Sequence, residues 1–184
     1  ALSDLILTGT GTLKIDNPFL NVRRKEIVNL EGFTQPVKGL ISSSAAGLDS
    51  NFFSIDGKKI IFCNDKNHFK NFEGEQDISI IEINNSKNNK VDLKTLINKI
   101  GLLDFNDVLL ESGPSLITSF INENLIDEFI IYIAPKILSN TALSFFNGDE
   151  QKSPFNSNGF ELARKKLLKK IENLFLEEFK NGFK

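Results

Sequence analysis

Residues 106–138 constrain the fold more than any other part of the chain, because three segments of different type follow one another there. "NDVLLE" is typical of a short strand, "GPSLITSFINEN" has the apolar spacing of a helix, and "DEFIIYIAPKIL" is a long apolar strand that Pro135 ends or bulges. A strand, a helix and a strand within about thirty residues form a right-handed crossover unit of a parallel or mixed sheet. The sequence therefore predicts an α/β fold.

The same alternation of strand and helix patterns continues elsewhere in the chain. Strands are predicted for "DLILTG" (4–9), "PVKGLISSS" (36–44) and "KKIIFCN" (58–64), and an amphipathic helix that stops at Gly101 for "VDLKTLINKIGL" (91–102). "GTGTLKIDNP" (9–18) predicts a shaped loop or a single helical turn, because glycine relaxes the backbone and Pro18 disfavours a helix at Asn17. The tail from residue 160 fits either a helix or a terminal strand.

Length and composition limit the classes of protein that the chain can belong to. With 184 residues and 40% hydrophobic content, it can bury one substantial core, so a single domain over residues 1–184 is expected. A net charge of -2 gives no general attraction to nucleic acid or to an anionic membrane. The chain contains no Met and opens directly on an apolar segment, which indicates an N-terminally incomplete fragment or a processed product.

Cysteine and histidine are too scarce for two common kinds of site. A single Cys63 cannot form an internal disulfide, and one Cys with one His68 is too few for the usual zinc cage. Cys63 is expected to be a small core residue rather than a nucleophile, and His68 is given no role. No apolar run reaches the roughly 20 residues that cross a bilayer. These observations predict a soluble, cytoplasmic and metal-free protein.

The stretch "LLESGPSLITSF" is the first candidate binding site. It runs from an apolar segment typical of a buried strand into Glu111, at the strand end where open α/β sheets usually hold ligands. The helix that follows begins with unsatisfied N–H groups and the positive end of its dipole. Gly113 would let a phosphate approach the backbone, Pro114 suits a first helical turn, and serines at 115 and 119 add hydroxyl donors. A plain strand-to-helix turn with a solvated carboxylate explains the same pattern, and a single Gly-Pro turn does not decide between the two.

The stretch "GTGTLKIDNPFLNVR" (9–23) is the second candidate, because it places a Gly/Thr loop, a carboxylate and a guanidinium after a strand. Arg23 can hold a substrate phosphate through two hydrogen bonds, and Asp16 can position a ligand or take part in proton transfer. The alternative is that Asp16 only forms the turn before Asn17 and that Arg23 and Arg24 are a solvated basic pair. Neither stretch establishes catalysis by itself.

Three segments together resemble one known family. "SDLILTGTGTLKIDNPFLNVR", "LLESGPSLITSF" and "LIDEFIIYIAPKIL" span residues 3–138 and are similar, in type, order and spacing, to the reductase half of the bifunctional riboflavin-biosynthesis deaminase/reductase family. The resemblance implies a dihydrofolate-reductase-like α/β fold, with a mixed sheet flanked by helices. It also implies NADPH as cofactor, a homodimer, and reduction of the phosphorylated pyrimidine 5-amino-6-(5-phosphoribosylamino)uracil to its ribitylamino product.

The resemblance further implies roles for individual residues. The implied cofactor contacts outside the phosphate turn are Thr12, Asp16 and Ser43. The implied cofactor phosphate turn consists of Gly113, Pro114, Ser115, Leu116, Ile117, Thr118 and Ser119. The implied substrate contacts are Leu20, Arg23 and Glu111. We expect hydride to be delivered to carbon 1 of the opened ribose portion, with Asp16 as the catalytic residue that orients the reacting groups or manages a proton, and Arg23 on the substrate phosphate.

The chain departs from the family pattern in three places. The family's usual Asp at the end of the second strand is Ser42 here, and "SAAGLDSNFF" after it is not a close match, so the contact at Ser43 has the weakest support. After "APKIL" the chain has Ser139 and Asn140 where the family commonly has Gly. The family also has a zinc deaminase domain and the reductase's first strand upstream of "SDLILTG", so the resemblance implies that this chain lacks its N-terminal strand and allows a deaminase domain in the parent protein.

Two alternatives to this enzyme remain open. Loss of an internal strand leaves open sheet edges, so we expect the isolated chain to be weakly stable or inactive. That loss and Ser42 favour a non-catalytic nucleotide-binding or regulatory remnant of the same fold. The retained Asp16, Arg23 and Glu111 favour the reductase. A related reductase that acts on another pteridine-like or pyrimidine-like substrate is the third possibility.

Overall fold

A computed structural model describes residues 3–45, 47, 49–83, 90–130 and 132. The chain divides into two compact units, residues 1–117 and residues 118–184. The expectation of a single domain over residues 1–184 stays a prediction. Pro135, Ser139, Asn140 and the tail from residue 160 lie outside the described residues.

The first unit contains a five-stranded sheet. Its strands are β1 (Leu5–Gly9), β2 (Val37–Ser42), β3 (Lys59–Cys63), β4 (Ile78–Glu82) and β5 (Val108–Leu110). The strand order is β4-β3-β2-β1-β5, and every pairing among these described strands is parallel. β1 and β3 are buried along their whole length, as expected for parallel strands that are covered on both faces.

Short helices connect the strands. They are α1 (Thr10–Ile15), α2 (Lys25–Val28), α3 (Asn51–Ser54), a 3₁₀ helix (Lys66–Phe72), α4 (Leu93–Gly101) and α5 (Pro114–Asn122). Asp92 caps the start of α4, and its Oδ1 accepts a hydrogen bond of 2.7 Å from the N–H of Thr95. This side-chain cap satisfies one of the N–H groups that a helix start leaves without a partner. α5 begins in the first unit and ends in the second.

The core of the first unit is built from aliphatic and aromatic side chains. One buried cluster contains Ile6, Leu13, Leu20, Leu40, Phe52, Ile61, Cys63 and Phe69. Phe53 packs edge-on against Phe52 and stacks on Phe72, with ring centroids 4.7 Å apart in the stacked pair. These phenylalanines are core material. Burial, together with the charge of Glu82, raises the pKa of the Cys63 thiol to about 11.

The structure confirms the α/β class and most of the predicted elements. The strands at 4–9, 36–44 and 58–64 are β1, β2 and β3, and the segment after β1 is a short helix, the second of the two predicted forms. The helix at 91–102 is α4, which ends at Gly101. β4, α2, α3 and the 3₁₀ helix were not predicted from the sequence.

One expectation about the segment 106–138 was wrong, and a second falls mostly outside the described residues. β5 is not buried, since Val108 and Leu109 are 37% and 38% exposed. The reason is that β5 lies at the end of the described sheet and pairs only with β1 among the described strands. Of the strand expected at 127–138, residues 127–130 and Tyr132 are not in a strand, and the remaining residues lie outside the described part of the chain, so this strand stays a prediction.

The strand order determines where a ligand site is expected. β1 has β2 on one side and β5 on the other, although β5 follows β4 in the chain. From β1 the chain adds β2, β3 and β4 on one side and then returns to place β5 on the other side of β1. The β1/β5 junction is therefore a topological switch point. In open α/β sheets, ligands bind outside the carboxyl ends of the strands at such a point. α1 follows β1 directly, and α5 begins four residues after β5 ends.

Candidate functional site

A hydrogen bond joins the two candidate segments at the switch point. The N–H of Gly113, just before α5, donates to Thr12 Oγ1 on α1 over 3.0 Å. Thr12 also accepts through its carbonyl oxygen, from the N–H of Asp16 at 2.9 Å and from that of Asn17 at 3.3 Å. Thr12 therefore connects the turn before α5 with the segment that carries Asp16.

Close packing between β1 and α5 sets this geometry. A Cβ built on Gly9, the last residue of β1, would lie 3.0 Å from Leu116 Cδ2 in the first turn of α5. A side chain at Gly9 would therefore push against Leu116. Because β1 and the start of α5 approach so closely, the first residues of α1 and the turn at Gly113 meet at the same sheet edge.

Gly113 leaves space beside the first turn of α5. Among the described residues, a Cβ at Gly113 would meet only Thr12 Oγ1, at 3.9 Å, which is an ordinary contact. The φ angle of Gly113 is not in the left-handed region. Neither packing nor backbone conformation in the described structure requires glycine there, so the open side is available for a ligand that approaches the backbone.

The main chain of Glu111 is held by two hydrogen bonds, and its side chain is exposed. Its N–H donates to the carbonyl oxygen of Leu7 over 2.9 Å, and its own carbonyl accepts from the hydroxyl of the buried Thr8 over 2.7 Å. These two bonds extend the pairing of β1 with β5 by one residue. The carboxylate of Glu111 is consequently presented at the carboxyl end of the sheet.

The segment from Asp16 to Arg23 follows α1 without regular structure. Asp16 is exposed and therefore accessible to a ligand. The Leu20 side chain belongs to the buried core cluster, so a ligand contact at Leu20 would have to use its main chain. Arg23 is exposed and its Cζ lies 5.4 Å from the centroid of the Phe19 ring, within the range of a cation–π contact.

The hydroxyl of Ser42, which stands where the family commonly has Asp, is hydrogen-bonded within the protein. Its Oγ accepts from Thr10 Oγ1 at 2.8 Å and from the N–H of Ser44 at 3.3 Å, and it donates to the Ser44 carbonyl at 2.6 Å. Ser42 is buried, whereas Ser43 is partly exposed. The serine therefore joins the start of α1 to the loop after β2 and leaves Ser43 as the accessible residue of the pair.

The other residues of the predicted phosphate turn lie along α5. Pro114 starts the helix, Ser115 is exposed, and Leu116 and Ile117 are partly buried. Thr118 and Ser119 belong to the second unit, where Thr118 is buried and Ser119 is partly buried. Only the first turn of α5 belongs to the unit that contains the switch point.

The part of the chain that the structure describes lacks two further features. Within it, no group of three or more His, Cys, Asp or Glu side chains is arranged to hold a metal ion. No described helix combines the length and the apolar character needed to cross a membrane.

Comparison with known families identifies the chain. The family model described as the RibD C-terminal domain matches residues 1–174. The chain belongs to the RibD C-terminal domain family. Similarity to the structure of Acinetobacter baumannii RibD, form 2, confirms its dihydrofolate-reductase-like α/β fold. The TM-score is 0.64 and the sequence identity 27%, over 80% of this chain and 39% of that one.

Two curated relatives of the RibD C-terminal domain family are similar in sequence. The riboflavin biosynthesis protein RibD of Buchnera aphidicola subsp. Baizongia pistaciae is 35% identical over 153 residues, which cover 78% of this chain and 40% of the relative. The 5-amino-6-(5-phosphoribosylamino)uracil reductase of Buchnera aphidicola subsp. Acyrthosiphon pisum is 34% identical over 149 residues, 77% of this chain and 70% of the relative. The chain thus spans less than half of the first relative and most of the second.

Three contributors to the site were missed by sequence reasoning. Thr8 holds Glu111, and the side chains of Gln35 and Asn51 hold the segment after α1. The Thr in "LILTG" is visible in the sequence as a polar residue in an otherwise apolar strand. Gln35 and Asn51 gave no signal, because they lie far from the segment in sequence and belong to no motif.

Proposed function

We propose that the chain reduces 5-amino-6-(5-phosphoribosylamino)uracil to its ribitylamino product with NADPH. The observation that carries the proposal is the Thr12–Gly113 hydrogen bond at the switch point, because it brings the phosphate turn and the Asp16 segment to one sheet edge. The name of the Buchnera reductase, which this chain resembles over most of that protein's length, supports the substrate and the reaction.

The residues at the switch point suit an anionic cofactor. The first turn of α5 presents N–H groups and the positive end of the helix dipole. Thr12 Oγ1 accepts from Gly113, so its own proton is available to a ligand oxygen, and no acceptor for it is found within the described residues. The open side of Gly113 leaves room for the phosphate, and the partly exposed Ser43 adds a hydroxyl at the neighbouring strand end.

The residues of the Asp16 segment suit a phosphorylated sugar. Arg23 supplies a guanidinium that can bind a phosphate through two parallel hydrogen bonds. Glu111 offers carboxylate oxygens to hydroxyl or amine donors of the substrate. The substrate then lies between the Asp16 segment and the first turn of α5, with Leu20 contributing only through its main chain.

The chemistry divides between the cofactor and the chain. NADPH, when bound, supplies a hydride to carbon 1 of the ring-opened ribose portion. One proton must also be added, so that the carbon–nitrogen double bond of the opened substrate becomes a single bond. Asp16 orients the reacting groups or moves that proton, while Thr12, Arg23 and Glu111 align the two phosphorylated molecules. Alignment of this kind lowers a barrier without any further reactive group.

The test is oxidation of NADPH by the complete 184-residue chain in the presence of the phosphoribosylaminouracil. We expect loss of reduced nicotinamide absorbance that requires both compounds, with the ribitylamino product formed in equal amount. The same assay with NADH measures the cofactor preference. Oxidation that is equally fast without the pyrimidine would contradict the proposal.

A non-catalytic nucleotide-binding remnant is the second candidate, and Ser42 is the observation that favours it. A neutral side chain that is fully engaged with Thr10 and Ser44 replaces the carboxylate that the family commonly has at this position. A remnant would bind NADPH but would not oxidise it with any phosphorylated pyrimidine or pteridine. Turnover with a different pyrimidine or pteridine would instead indicate the related reductase.

The proposal also covers the location, the oligomeric state and the upstream domain. We place the protein in the cytoplasm as a homodimer, which sedimentation would detect as twice the mass of the chain. A zinc deaminase domain upstream in the parent protein would fit the RibD relatives, of which the chain spans 40% in the first case. Turnover in the assay above would contradict the expectation from the sequence that the isolated chain is inactive, and a melting curve tests the expected weak stability.

A further inference from the structure

Two carboxamide side chains hold the irregular segment after α1. Gln35 Oε1 accepts from the N–H of Val22, and Gln35 Nε2 donates to the carbonyl of Val22, each over 2.9 Å. Asn51 Nδ2 donates to the carbonyl of Asn17, and the main-chain N–H of Asn51 donates to Asn17 Oδ1, each over 2.7 Å. Gln35 precedes β2 and Asn51 starts α3, so both reach the segment from elsewhere in the chain.

The segment has an intrinsic need for such partners. Residues 17–24 form no helix or strand, so their N–H and carbonyl groups cannot pair within a regular ladder. Asn17 and Leu20 have φ angles of 42° and 49°, in the left-handed region that most side chains avoid. Asn tolerates this region, but Leu does not do so readily. A conformation of this kind persists only where the surrounding structure imposes it.

Leu20 supplies a third fixed point between the two carboxamide contacts. Its side chain is 5% exposed and belongs to the buried cluster that also contains Phe52, the residue next to Asn51. The segment is therefore held at Asn17 by hydrogen bonds, at Leu20 by packing and at Val22 by hydrogen bonds. Three fixed points over six residues leave this part of the backbone little freedom.

The fixed part lies between the two side chains that the proposed function needs. Asp16 comes directly before the first fixed point and Arg23 directly after the last, and both are exposed. A guanidinium binds a phosphate through two bonds only when its plane faces the phosphate correctly. The direction in which Arg23 leaves the backbone is set by the conformation of Val22, which Gln35 holds on both its N–H and its carbonyl.

We propose that Gln35 and Asn51 are positioning residues for the phosphorylated substrate. Neither touches the substrate. They hold residues 17–22 in the one conformation from which Arg23 meets the sugar phosphate and Asp16 meets the reacting centre. This assignment rests on the proposed function, since it takes the substrate phosphate to be the ligand of Arg23. It extends that function by naming the residues that make the substrate side of the site rigid before binding.

The experiment compares the 184-residue chain with its Gln35→Ala and Asn51→Ala variants. Gln76→Ala is the matched control, because Gln76 is an exposed carboxamide in the turn before β4. Binding is measured for ribose 5-phosphate and, separately, for NADPH, and KM and kcat are measured for the phosphoribosylaminouracil. Gln35 is itself exposed, so its replacement does not threaten the core.

We expect the Kd for ribose 5-phosphate and the KM for the pyrimidine to rise about tenfold in either variant, because the segment is less preorganised for binding. Gln35→Ala loses both hydrogen bonds to Val22, whereas Asn51→Ala keeps only the bond donated by its main-chain N–H. The Kd for NADPH stays within about twofold, because the first turn of α5 is unchanged. Amide hydrogen exchange at Val22 accelerates in Gln35→Ala but not in Asn51→Ala. Gln76→Ala matches the unmodified chain in every measurement.

A conservative variant separates positioning from simple surface cover. In Gln35→Glu, one oxygen of the ionised carboxylate accepts from the Val22 N–H. Its other oxygen cannot donate, so the hydrogen bond to the Val22 carbonyl is lost. Below a pH of about 4.3 the protonated carboxyl can again accept and donate. Relative to Gln35→Ala at each pH, exchange at Val22 should slow as the pH falls through this value. No such change is expected if the side chain only covers the surface.

The outcomes distinguish this inference from the proposed function. Unchanged Kd for ribose 5-phosphate and unchanged KM in both alanine variants would overturn the inference and leave the reductase standing. Absence of NADPH oxidation, with weakened ribose 5-phosphate binding in both variants, would overturn the reductase and support the positioning role. If the unmodified chain does not bind ribose 5-phosphate at all, the inference is wrong whatever the result with NADPH.

Discussion

Thr12 and Gly113 are 101 residues apart in the sequence and are joined by a hydrogen bond of 3.0 Å. The bond crosses from the helix after β1 to the turn after β5, the two strands that meet at the switch point. It uses the acceptor of the Thr12 hydroxyl and leaves its proton for a ligand. The Thr12 side chain therefore links the two segments of the site and also offers a hydrogen-bond donor to a ligand.

Replacement of Thr12 by Val tests this double role. Val keeps the shape of Thr but leaves the Gly113 N–H without an acceptor, so the free energy of unfolding should fall by about 1 kcal/mol. The Kd for NADPH should rise as well, because the ligand loses the hydroxyl donor. Thr12→Ser keeps the hydroxyl and should restore most of both values. Chemical denaturation and a NADPH titration measure them, and a Val variant with normal NADPH affinity would exclude Thr12 as a cofactor contact.

Asp16→Asn separates chemistry from binding. The amide keeps the size of the side chain but cannot take up a proton as a carboxylate does. Turnover with the pyrimidine substrate should fall far more, by roughly 100-fold, than the affinity for NADPH, in line with the usual contribution of a positioned acid or base. Steady-state kinetics and a cofactor titration provide the comparison. An unchanged turnover number removes Asp16 from the mechanism.

Lys38 is expected to make stability depend on pH in the alkaline range. It is 2% exposed, and burial, followed by the charge of Lys59 opposite it on β3, lowers its pKa from the ordinary 10.5. Between the lowered pKa and 10.5 the unfolded chain binds more protons than the folded one, so the free energy of unfolding contributed by Lys38 rises with pH across this window.

The Lys38→Met variant should flatten this rise, and Lys58→Met, which removes an exposed lysine next to β3, should leave it unchanged. Lys38→Met also loses the hydrogen bond of 3.0 Å from Lys38 Nζ to the carbonyl of Asp56, so its stability at a single pH is not informative. The measurement is denaturant unfolding over a series of alkaline pH values. Equal slopes for Lys38→Met and the unmodified chain would show that Lys38 keeps its ordinary pKa in the folded state.

The thiol of Cys63 should be inert while the protein is folded. It is fully buried and its pKa is raised to about 11, so almost no thiolate exists near neutral pH and a reagent cannot reach it. A thiol reagent should modify one group per chain in denaturant and none on the same timescale without it. Fast modification of the folded chain would place Cys63 in an accessible position and reopen its assignment as a core residue.

The central elements of the fold could be predicted because their signals are local. β1 and β2 are short apolar runs that end at glycine and serine, β3 is an apolar run that asparagine follows, and α4 has apolar residues at helical spacing. β4, "ISIIE", was missed although it is apolar in part, since the polar turn after it is the more conspicuous pattern. α2 and α3 have four residues each, too few for any helical period to be visible.

The candidate site could be predicted in its parts but not in its assembly. The turn at Gly113 and the segment with Asp16 each carried a chemical signal, yet only the sheet order brings them together. The exposure of β5 was not predictable, because an apolar strand gives the same pattern at the edge and in the middle of a sheet until its neighbours are known. The contacts of Gln35 and Asn51 depend on tertiary structure in the same way, since neither residue lies near the segment in sequence.

Gly113→Ala is the most direct test of the switch-point site. The described protein has room for the added methyl group, so the free energy of unfolding should stay within about 1 kcal/mol of the original value or rise slightly. A bound phosphate, in contrast, would meet that methyl group. Gly101→Ala, at the end of α4 with no described atom within 4 Å of the new Cβ, is the matched control.

The decisive measurement is the Kd for NADPH of the chain and of these two variants, taken under conditions in which all three are folded. A cofactor phosphate at the first turn of α5 predicts a Kd at least about tenfold higher for Gly113→Ala and an unchanged Kd for Gly101→Ala. If Gly113→Ala binds NADPH as tightly as the unmodified chain, the cofactor does not bind at the switch point.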